Sequence, residues 1–191
     1  MEKIIKLPEP NMKGGMPIMQ ALAERKSIKE FSDKLISMQQ LSDLLWAMFG
    51  INRVETGKRT APSAKNWQSN EMYIITKEAT YHYNHKEHSL ILLKSGDLRH
   101  IAGKQEYSQK APLNILLISD LAKVDKVNEL DKKITASADA GFISQNAYLY
   151  CSSEGLACVV RLMIDHDLIG KTLELSEQCW ATLALTIGFA K

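Results

Sequence analysis

The feature that most constrains the fold is a continuous apolar run at residues 112–120. A short run of this kind, bounded by turn residues, is typical of a strand buried on both faces. Two further runs, at residues 156–162 and 180–189, predict two more strands. Residues 71–76 predict another strand, and residues 80–83 and 89–93 predict a hairpin that turns at 84–87. These segments together predict a sheet with a buried centre.

Helices are predicted between these strands. The strongest indication is a capping box, Ser37 with Gln40 three residues later, which opens a helix that ends at Gly50. We expect Gly50 to adopt the left-handed conformation common at helix C-termini. The other predicted helices cover residues 17–24, 97–103, 165–170 and a long segment from 124 or later to 153. Gly141 in that long helix costs about 1 kcal/mol against alanine, so we expect another helix or a flat ligand to pack there.

Two segments lack a periodic pattern. Residues 1–16 contain Pro8, Pro10, Gly14 and Gly15 and predict an extended arm rather than a regular element. Residues 52–70 are a long polar segment, predicted to be a loop, and such loops inside a compact domain are usually functional or disordered. The length of 191 residues favours one domain over residues 1–191, with 1–16 as its arm.

Composition excludes several function classes. The formal net charge is +2 with both signs interspersed, so the chain lacks the basic stripe that nucleic-acid binding requires. No run approaches the roughly 18 apolar residues of a membrane span, and the N-terminus lacks a secretion signal. The three cysteines form no C-x-x-C pair, which favours small buried side chains in a reducing compartment. We therefore expect a cytoplasmic protein with neither a nucleic-acid nor a membrane partner.

Three histidines, His82, His85 and His88, lie three residues apart. This spacing invites a metal site, but it straddles a predicted turn, where the side chains do not converge as they would on a helix. No cluster of carboxylates or cysteines accompanies them. We predict ordinary histidines on a solvated hairpin and no metal site.

A cationic cluster follows the first predicted helix: Arg25, Lys26, Ser27 and Lys29. Arginine offers a planar fork of donors, lysine a mobile point charge and serine a neutral donor, a set suited to a phosphomonoester or an anionic heterocycle. Cations at this place also stabilise the negative end of the helix dipole. Both readings, a ligand site and a solvated helix end, follow from these residues.

The polar loop contains small residues that let backbone approach a ligand, namely Ala61, Pro62, Ser63 and Ala64. Asn66 and Gln68 each add a donor and an acceptor. A plain surface loop is the competing reading, since clusters of this composition are often only loops.

Several short motifs occur along the chain in a fixed order: Arg25-Lys26-Ser27-x-Lys29-x-Phe31, Pro62-Ser63-Ala64-x-Asn66-x-Gln68, Asp139-Ala140-Gly141, Gln145-Asn146, Glu154-Gly155-Leu156 and Thr186-Ile187-Gly188-Phe189. Each is weak alone, but the series resembles the nitroreductase family from about residue 16 to the end. Within that family the chain looks most like the branch of thiazole/oxazole-forming dehydrogenases, with which it shares the segments Leu44-Leu45-Trp46-Ala47, Gly50-Ile51-Asn52 and the loop at residues 57–64.

The resemblance implies an α+β fold with a central, mostly antiparallel sheet flanked by helices. It also implies an FMN-dependent oxidoreductase that forms an intertwined homodimer with FMN at the subunit interface. Arg25 and Ser27 would hold the phosphate and ribityl end, with Lys26 beside them, and Lys29 would reach the flavin pyrimidine. The partner subunit would contribute Pro62, Ser63, Ala64 and Asn66, and the backbone of Val160 and Arg161 would lie against the isoalloxazine ring. No side chain stands out as a catalytic acid or base.

The chain departs from the family pattern in several places. Many relatives have arginine at the position of Lys29 and proline at the position of Ser69. Near the closing glycine motif only Lys191 is basic, so Arg161 or Arg25 is expected to take more of the phosphate contact. From its place near the end of a buried strand, Arg161 is expected either to pair with an anion or to be exposed. The chain has no Lys-Tyr pair, which argues against azoline oxidation.

Three functions follow as hypotheses. The first is NAD(P)H-dependent reduction of small electron-poor planar substrates, such as nitroaromatics and quinones, through flavin N5. The second is a dehydrogenase of a peptide or heterocycle, and the third is a flavin-binding protein without turnover.

Overall fold

The computed structural model describes residues 3–191 and is built on an antiparallel sheet of seven strands. The nine strands of the chain are β1 (Ile4–Lys6), β2 (Ile51–Arg53), β3 (Lys58–Arg59), β4 (Asn70–Ile75), β5 (Ala79–Asn84), β6 (Ser89–Ser95), β7 (Leu113–Asp120), β8 (Ala157–Arg161) and β9 (Cys179–Gly188). The main sheet has the order β1-β6-β5-β4-β7-β9-β8, and β2 and β3 pair separately. All of these pairings are antiparallel.

Five α-helices surround the sheet: α1 (Ile18–Glu24), α2 (Met38–Phe49), α3 (Glu106–Lys110), α4 (Glu129–Ser153) and α5 (His166–Leu173). Helices α2 and α4 cover one face of the sheet. Helix α5 and the 3-10 turn at Arg99–Ala102 cover the other. The α+β class and the antiparallel sheet flanked by helices, predicted from the sequence, are confirmed.

Strand β7 lies in the interior of the sheet, between β4 and β9, and its position explains why most of its residues are apolar. Leu113, Ile115 and Leu117 point into the cluster beneath α2 and α4. Leu116 and Ile118 point the other way, into the cluster beneath α5. Burying one such side chain stabilises the fold by about 1.5–3 kcal/mol. A strand covered on both sides therefore shows no regular alternation of apolar and polar residues, and its buried polar residues Asn114 and Ser119 are hydrogen-bonded.

The N-terminal segment and the polar loop are more regular than predicted. Ile4–Lys6 form the edge strand β1 on β6, so the prediction that residues 1–16 contain no regular element is wrong there. Residues 52–70 contain the small β2–β3 hairpin and short 3-10 turns at Val54–Thr56 and Ala64–Asn66. Helix α3 was not predicted from the sequence. These elements are short and depend on distant partners rather than on local periodicity.

Gly50 is not left-handed, contrary to the expectation. Its φ is −68° and its ψ is 155°, values that any residue adopts. A β-carbon at Gly50 would lie 2.3 Å from Cδ1 of Trp46. Glycine is therefore required by the close approach of the indole and not by the backbone conformation.

Gly141 does not meet the packing neighbour that was expected from the sequence. It lies exposed on α4, and a β-carbon there would have no heavy atom within 4 Å in the part of the chain that is described. The nearby exposed residues Ile134 and Phe142 are apolar. The same face of α4 is therefore open in the single chain. Across residues 3–191 no helix has the length and apolarity that crossing a membrane takes.

Candidate functional site

The cationic cluster lies where α1 ends and the chain turns toward β8. The peptide N–H of Ile28 donates to the carbonyl of Cys158 at 3.0 Å and fixes the segment beside that strand. Lys26 and Lys29 are exposed, and neither they nor Arg25 form an ion pair with any carboxylate among residues 3–191. The three charges are therefore not paired with any carboxylate in the described part of the chain.

Tyr148 on α4 joins this cluster to β8. Its hydroxyl accepts a hydrogen bond from the Val160 N–H at 3.0 Å and lies 2.8 Å from the Ser27 hydroxyl. The Arg25 guanidinium stands 5.2 Å above the centre of its ring, a distance suited to a cation–π contact. Three of the predicted site residues, Arg25, Ser27 and Val160, thus meet around one side chain that sequence reasoning had missed.

A cavity of about 500 Å³ opens beside these residues. Lys26, Ile28 and Tyr148 line it, together with Glu24, Cys151 and Cys158. This volume is within the usual range of ligand pockets, about 300–1,000 Å³. Burial raises the pKa of the Cys151 thiol, so this cysteine stays protonated and behaves as a small apolar side chain, as predicted.

The second predicted group, the loop around Ser63, is held against a different part of α4. The Ser63 hydroxyl donates to Asp139 Oδ2 at 2.8 Å, and the Ala64 N–H donates to both carboxylate oxygens at 3.1 and 3.2 Å. Pro62 and Asn66 are exposed on the outside of this loop. Asp139 belongs to a motif noted in the sequence, but no role had been predicted for it.

The two groups lie apart within one chain. Asp139 and Tyr148 are nine positions apart on the same helix, which at 1.5 Å per residue places them about 13 Å from each other along its axis. The structure therefore brings Arg25, Ser27 and Val160 together, but it does not bring Ser63 to them.

Arg161 is neither paired with an anion nor exposed, contrary to the expectation from its strand position. It is buried at 6% exposure, with no carboxylate of residues 3–191 within ion-pair distance. Its guanidinium donates to neutral acceptors, namely Ala102 O, Gln105 Oε1, Asn114 Oδ1 and Thr186 Oγ1. Burial lowers the pKa of Arg161. Because Nη1 and Nη2 of Arg161 are engaged inside the chain, Arg25 is the better placed of the two for a phosphate contact.

The three histidines do not converge. His82 lies 3.3 Å from Glu71, His85 bonds to Arg59, and His88 lies between the hydroxyls of Ser42 and Tyr83. Across residues 3–191 no group of three or more histidine, cysteine or acidic side chains is arranged to hold a metal ion. Each histidine serves a separate local contact.

Comparison with known proteins gives one family. Residues 22–189 match the family model of the Nitroreductase family. A solved structure from Ralstonia eutropha JMP134, assigned as a nitroreductase, is 36% identical with a TM-score of 0.93, covering 98% of this chain and 90% of that one.

Two solved structures of lower identity share the fold. The Escherichia coli microcin synthetase complex McbBCD with truncated pro-MccB17 matches at 17% identity and a TM-score of 0.74, over 97% of this chain and 77% of that one. The NADPH:FMN oxidoreductase of Vibrio harveyi, complexed with NAD+, matches at 18% and 0.67, over 91% and 69%. The family match over most of the sequence, together with the Ralstonia relative, establishes that this chain is a member of the nitroreductase family.

Proposed function

We propose that this chain is an FMN-dependent oxidoreductase that uses NAD(P)H to reduce small electron-poor planar substrates such as nitroaromatics and quinones. Membership of the nitroreductase family makes it an oxidoreductase. The observation that carries the rest is the cluster of Arg25, Lys26 and Lys29, which forms no ion pair with a carboxylate of residues 3–191 and whose Lys26 lines a ligand-sized cavity. A neighbour of the same fold is an NADPH:FMN oxidoreductase, which supports the choice of cofactor.

The donors beside the cavity fit the phosphate end of FMN. Arg25 and Lys26 supply charge, and charge-assisted hydrogen bonds are the strong ones. The Tyr148 oxygen accepts from the Val160 N–H, so the Tyr148 O–H can donate to the Ser27 oxygen. In that arrangement the Ser27 proton stays available for a phosphate or ribityl oxygen.

Lys29 and the β8 backbone would hold the ring of FMN. When bound, FMN supplies hydride transfer, and the protein supplies position and charge. The reduced ring gains negative charge near its pyrimidine, and the exposed, unpaired Lys29 ammonium is suited to stabilise that charge. Val160 and Arg161 would contribute backbone only, because the Arg161 side chain is committed to internal acceptors.

A homodimer is part of the proposal. One face of the N-terminal half of α4 is exposed and apolar, at Leu130, Ile134, Ala138, Gly141 and Phe142. Large exposed apolar patches usually mark an interaction surface. A second copy would cover this face and would bring Pro62, Ser63, Ala64 and Asn66 to the FMN held by the first. The free cysteines agree with the cytoplasmic location that forms part of this proposal.

Flavin binding tests the proposal directly. Purified protein should be yellow, and removal of Arg25 and Lys29 together by alanine should weaken FMN binding at least about a hundredfold. Each hydrogen bond to a charged group is worth about 1.5–3 kcal/mol, which gives that scale for two. Fluorescence titration of FMN measures the loss.

The matched control replaces two other exposed lysines, Lys86 and Lys171, by alanine. It makes the same change in net charge away from the cavity, and FMN affinity should stay at the wild-type value. A folded, colourless wild-type protein that takes up no FMN would contradict the proposal.

A second candidate is a dehydrogenase of a peptide or heterocycle, favoured by the fold shared with the microcin synthetase complex. The absence of a Lys-Tyr pair argues against azoline oxidation. Anaerobic titration distinguishes the two: NADH or NADPH bleaches the flavin of a reductase without any other substrate. Absence of turnover with every nitro and quinone acceptor would instead favour a flavin-binding protein without catalysis.

A further inference from the structure

The loop at residues 62–68 has an unfavourable backbone conformation. Lys65, Asn66 and Gln68 have φ values of 47°, 58° and 50°, in the left-handed region. Residues other than glycine enter this region at a cost of order 1–3 kcal/mol each and stay there only when their surroundings hold them. The contacts that hold this loop therefore decide its shape.

Those contacts converge on one carboxylate. Asp139 accepts from the Ser63 hydroxyl and from the Ala64 N–H. The same Ser63 oxygen accepts from the Gln68 N–H at 2.9 Å, which closes the loop on itself. The Ser63 proton is thereby used inside its own chain, so this serine shapes the loop rather than offering its proton to a ligand.

Asp139 is buried, at 4% exposure, and no arginine, lysine or histidine of residues 3–191 lies within ion-pair distance. A buried carboxylate is strongly unfavourable unless hydrogen bonds satisfy it. The hydrogen bonds that Asp139 accepts come from Ser63 and Ala64. The loop and the carboxylate thus depend on each other: the loop satisfies the charge, and the charge holds the loop.

We propose that Asp139 is a positioning residue that holds loop 62–68 in the conformation in which it meets FMN bound by the partner subunit. This inference rests on the proposed function. Asp139 acts through Ser63 and Ala64, and the surface that it presents is the backbone around Pro62 and the side chain of Asn66.

The first test measures how readily the loop opens, and it does not depend on flavin binding. Trypsin cleaves after lysine, and Lys65 is exposed within the loop. In Asp139→Ala the Lys65–Asn66 bond should be cut about tenfold faster than in wild type, because loss of the anchor raises the open population of the loop. The rate is followed by mass spectrometry of the two fragments.

The matched control is Asn146→Ala on the same helix. Its Nδ2 donates to the Ala47 carbonyl at 3.0 Å and so ties α4 to α2 rather than to the loop. It should lower thermal stability without changing the rate of cleavage at Lys65. This difference separates positioning of the loop from a general loss of stability.

The second test reads FMN affinity. Asp139→Ala should weaken binding about tenfold, whereas Asn146→Ala should leave it unchanged. Asp139→Asn should fall between, because its one carbonyl oxygen replaces part of the acceptor set. Ser63→Ala should weaken FMN binding less in the Asp139→Ala background than in wild type, because both changes break the same contact.

The outcomes are distinct. Wild-type cleavage and wild-type FMN affinity in Asp139→Ala would overturn the inference. Should Asp139→Ala fail to fold, Ser63→Ala breaks the same contact from the loop side, and unchanged cleavage at Lys65 in that variant would also overturn it. Wild-type protein that binds no FMN refutes the proposed function instead, and the cleavage rates then show separately whether Asp139 holds the loop.

Discussion

Arg59, which is buried, and His85, which is half-buried, form a contact beside the segment that leads into the loop at residues 62–68. The Arg59 guanidinium lies 3.9 Å above the Phe49 ring and donates to His85 Nε2 at 3.0 Å. Burial lowers the pKa of Arg59 to about 10, well above neutral pH, so the group stays charged. The contact joins the turn after β5 to strand β3, which leads directly into the loop.

His85 has to be neutral for this contact, because its Nε2 is the acceptor. Burial, and then the nearby charge of Arg59, lower the pKa of His85 to about 4 from 6.5. Between pH 6.5 and 4 the unfolded chain therefore binds a proton at this residue that the folded chain does not. Stability rises with pH in that window and is lost as the pH falls through it.

We expect His85→Gln to flatten the pH dependence of unfolding between pH 7 and 5. Glutamine keeps an acceptor for Arg59 but does not titrate, so the slope should fall by up to about 1 kcal/mol per pH unit. Urea unfolding at pH 7, 6 and 5 gives the slope for both proteins. Identical slopes in the two would show that His85 does not carry this dependence.

The pH range of that experiment avoids the titration of Glu71, a second residue on which stability depends. Burial alone would raise the pKa of Glu71, but hydrogen bonds from His82 and Lys123 outweigh it and lower the pKa to about 2. Stability from Glu71 is present above pH 4.5 and is lost as the pH falls from there toward 2. Above pH 5 this contribution is constant.

Among the helices and strands, those predicted correctly from the sequence are the ones that local patterns determine. The capping box at Ser37 is present, with the Ser37 side chain accepting from the Gln40 N–H and the Gln40 side chain accepting from the Ser37 N–H. Strand β7 and the long helix α4 were also predicted, because their patterns extend over many residues. Strand β1 was not, since its three residues form a strand only by pairing with β6, more than eighty positions away.

The residues of the candidate site also differ in whether the sequence alone could indicate them. The cations at 25–29 stand out because they are adjacent in sequence. Tyr148 and Asp139 do not, because their partners Ser27 and Ser63 are 121 and 76 positions away. A tyrosine or aspartate on a helix gives no local indication of a contact at that distance. Their roles follow only from the fold.

Gly50 lies between α2 and β2, and substituting it tests whether the Trp46 indole leaves room for a side chain there. Gly50→Ala should lower the melting temperature by several degrees, because the new β-carbon displaces the Trp46 indole. Overpacking of this kind typically costs about 1–3 kcal/mol, and each kcal/mol corresponds to roughly 2–4 °C for a chain of this size. Calorimetry gives the shift, and tryptophan fluorescence should change with it.

Gly170→Ala is the control for that substitution. Gly170 lies inside α5, and a β-carbon there would meet nothing within 4 Å in the described chain. Alanine should stabilise this helix by about 0.5–1 kcal/mol, the opposite sign to Gly50→Ala. A stabilising Gly50→Ala would mean that the indole moves aside without cost.

For the whole molecule, the exposed apolar face of α4 is the surface on which the proposed dimer depends. Arg25 and Ser27 gather at Tyr148, and Ser63 is fixed at Asp139, about 13 Å away on the same helix. Because both residues lie on one rigid helix, Tyr148 and Asp139 of the same chain stay at this separation. In the proposed dimer, a symmetric pair of chains with the exposed faces of α4 in contact would give each cationic cluster a loop from the other chain.

Charge on that face should therefore separate the chains and release the flavin together. We expect Ile134→Asp with Phe142→Asp to halve the particle mass from twice the 21.5 kDa of the chain, and to weaken FMN binding at least about tenfold. A buried unpaired carboxylate is strongly unfavourable in an apolar interface. Analytical ultracentrifugation and FMN titration measure the two effects. Leu93→Asp, at an exposed apolar position on β6, should change neither. A wild-type monomer that holds FMN with full affinity would refute the shared site, because the loop at Ser63 would then play no part in binding.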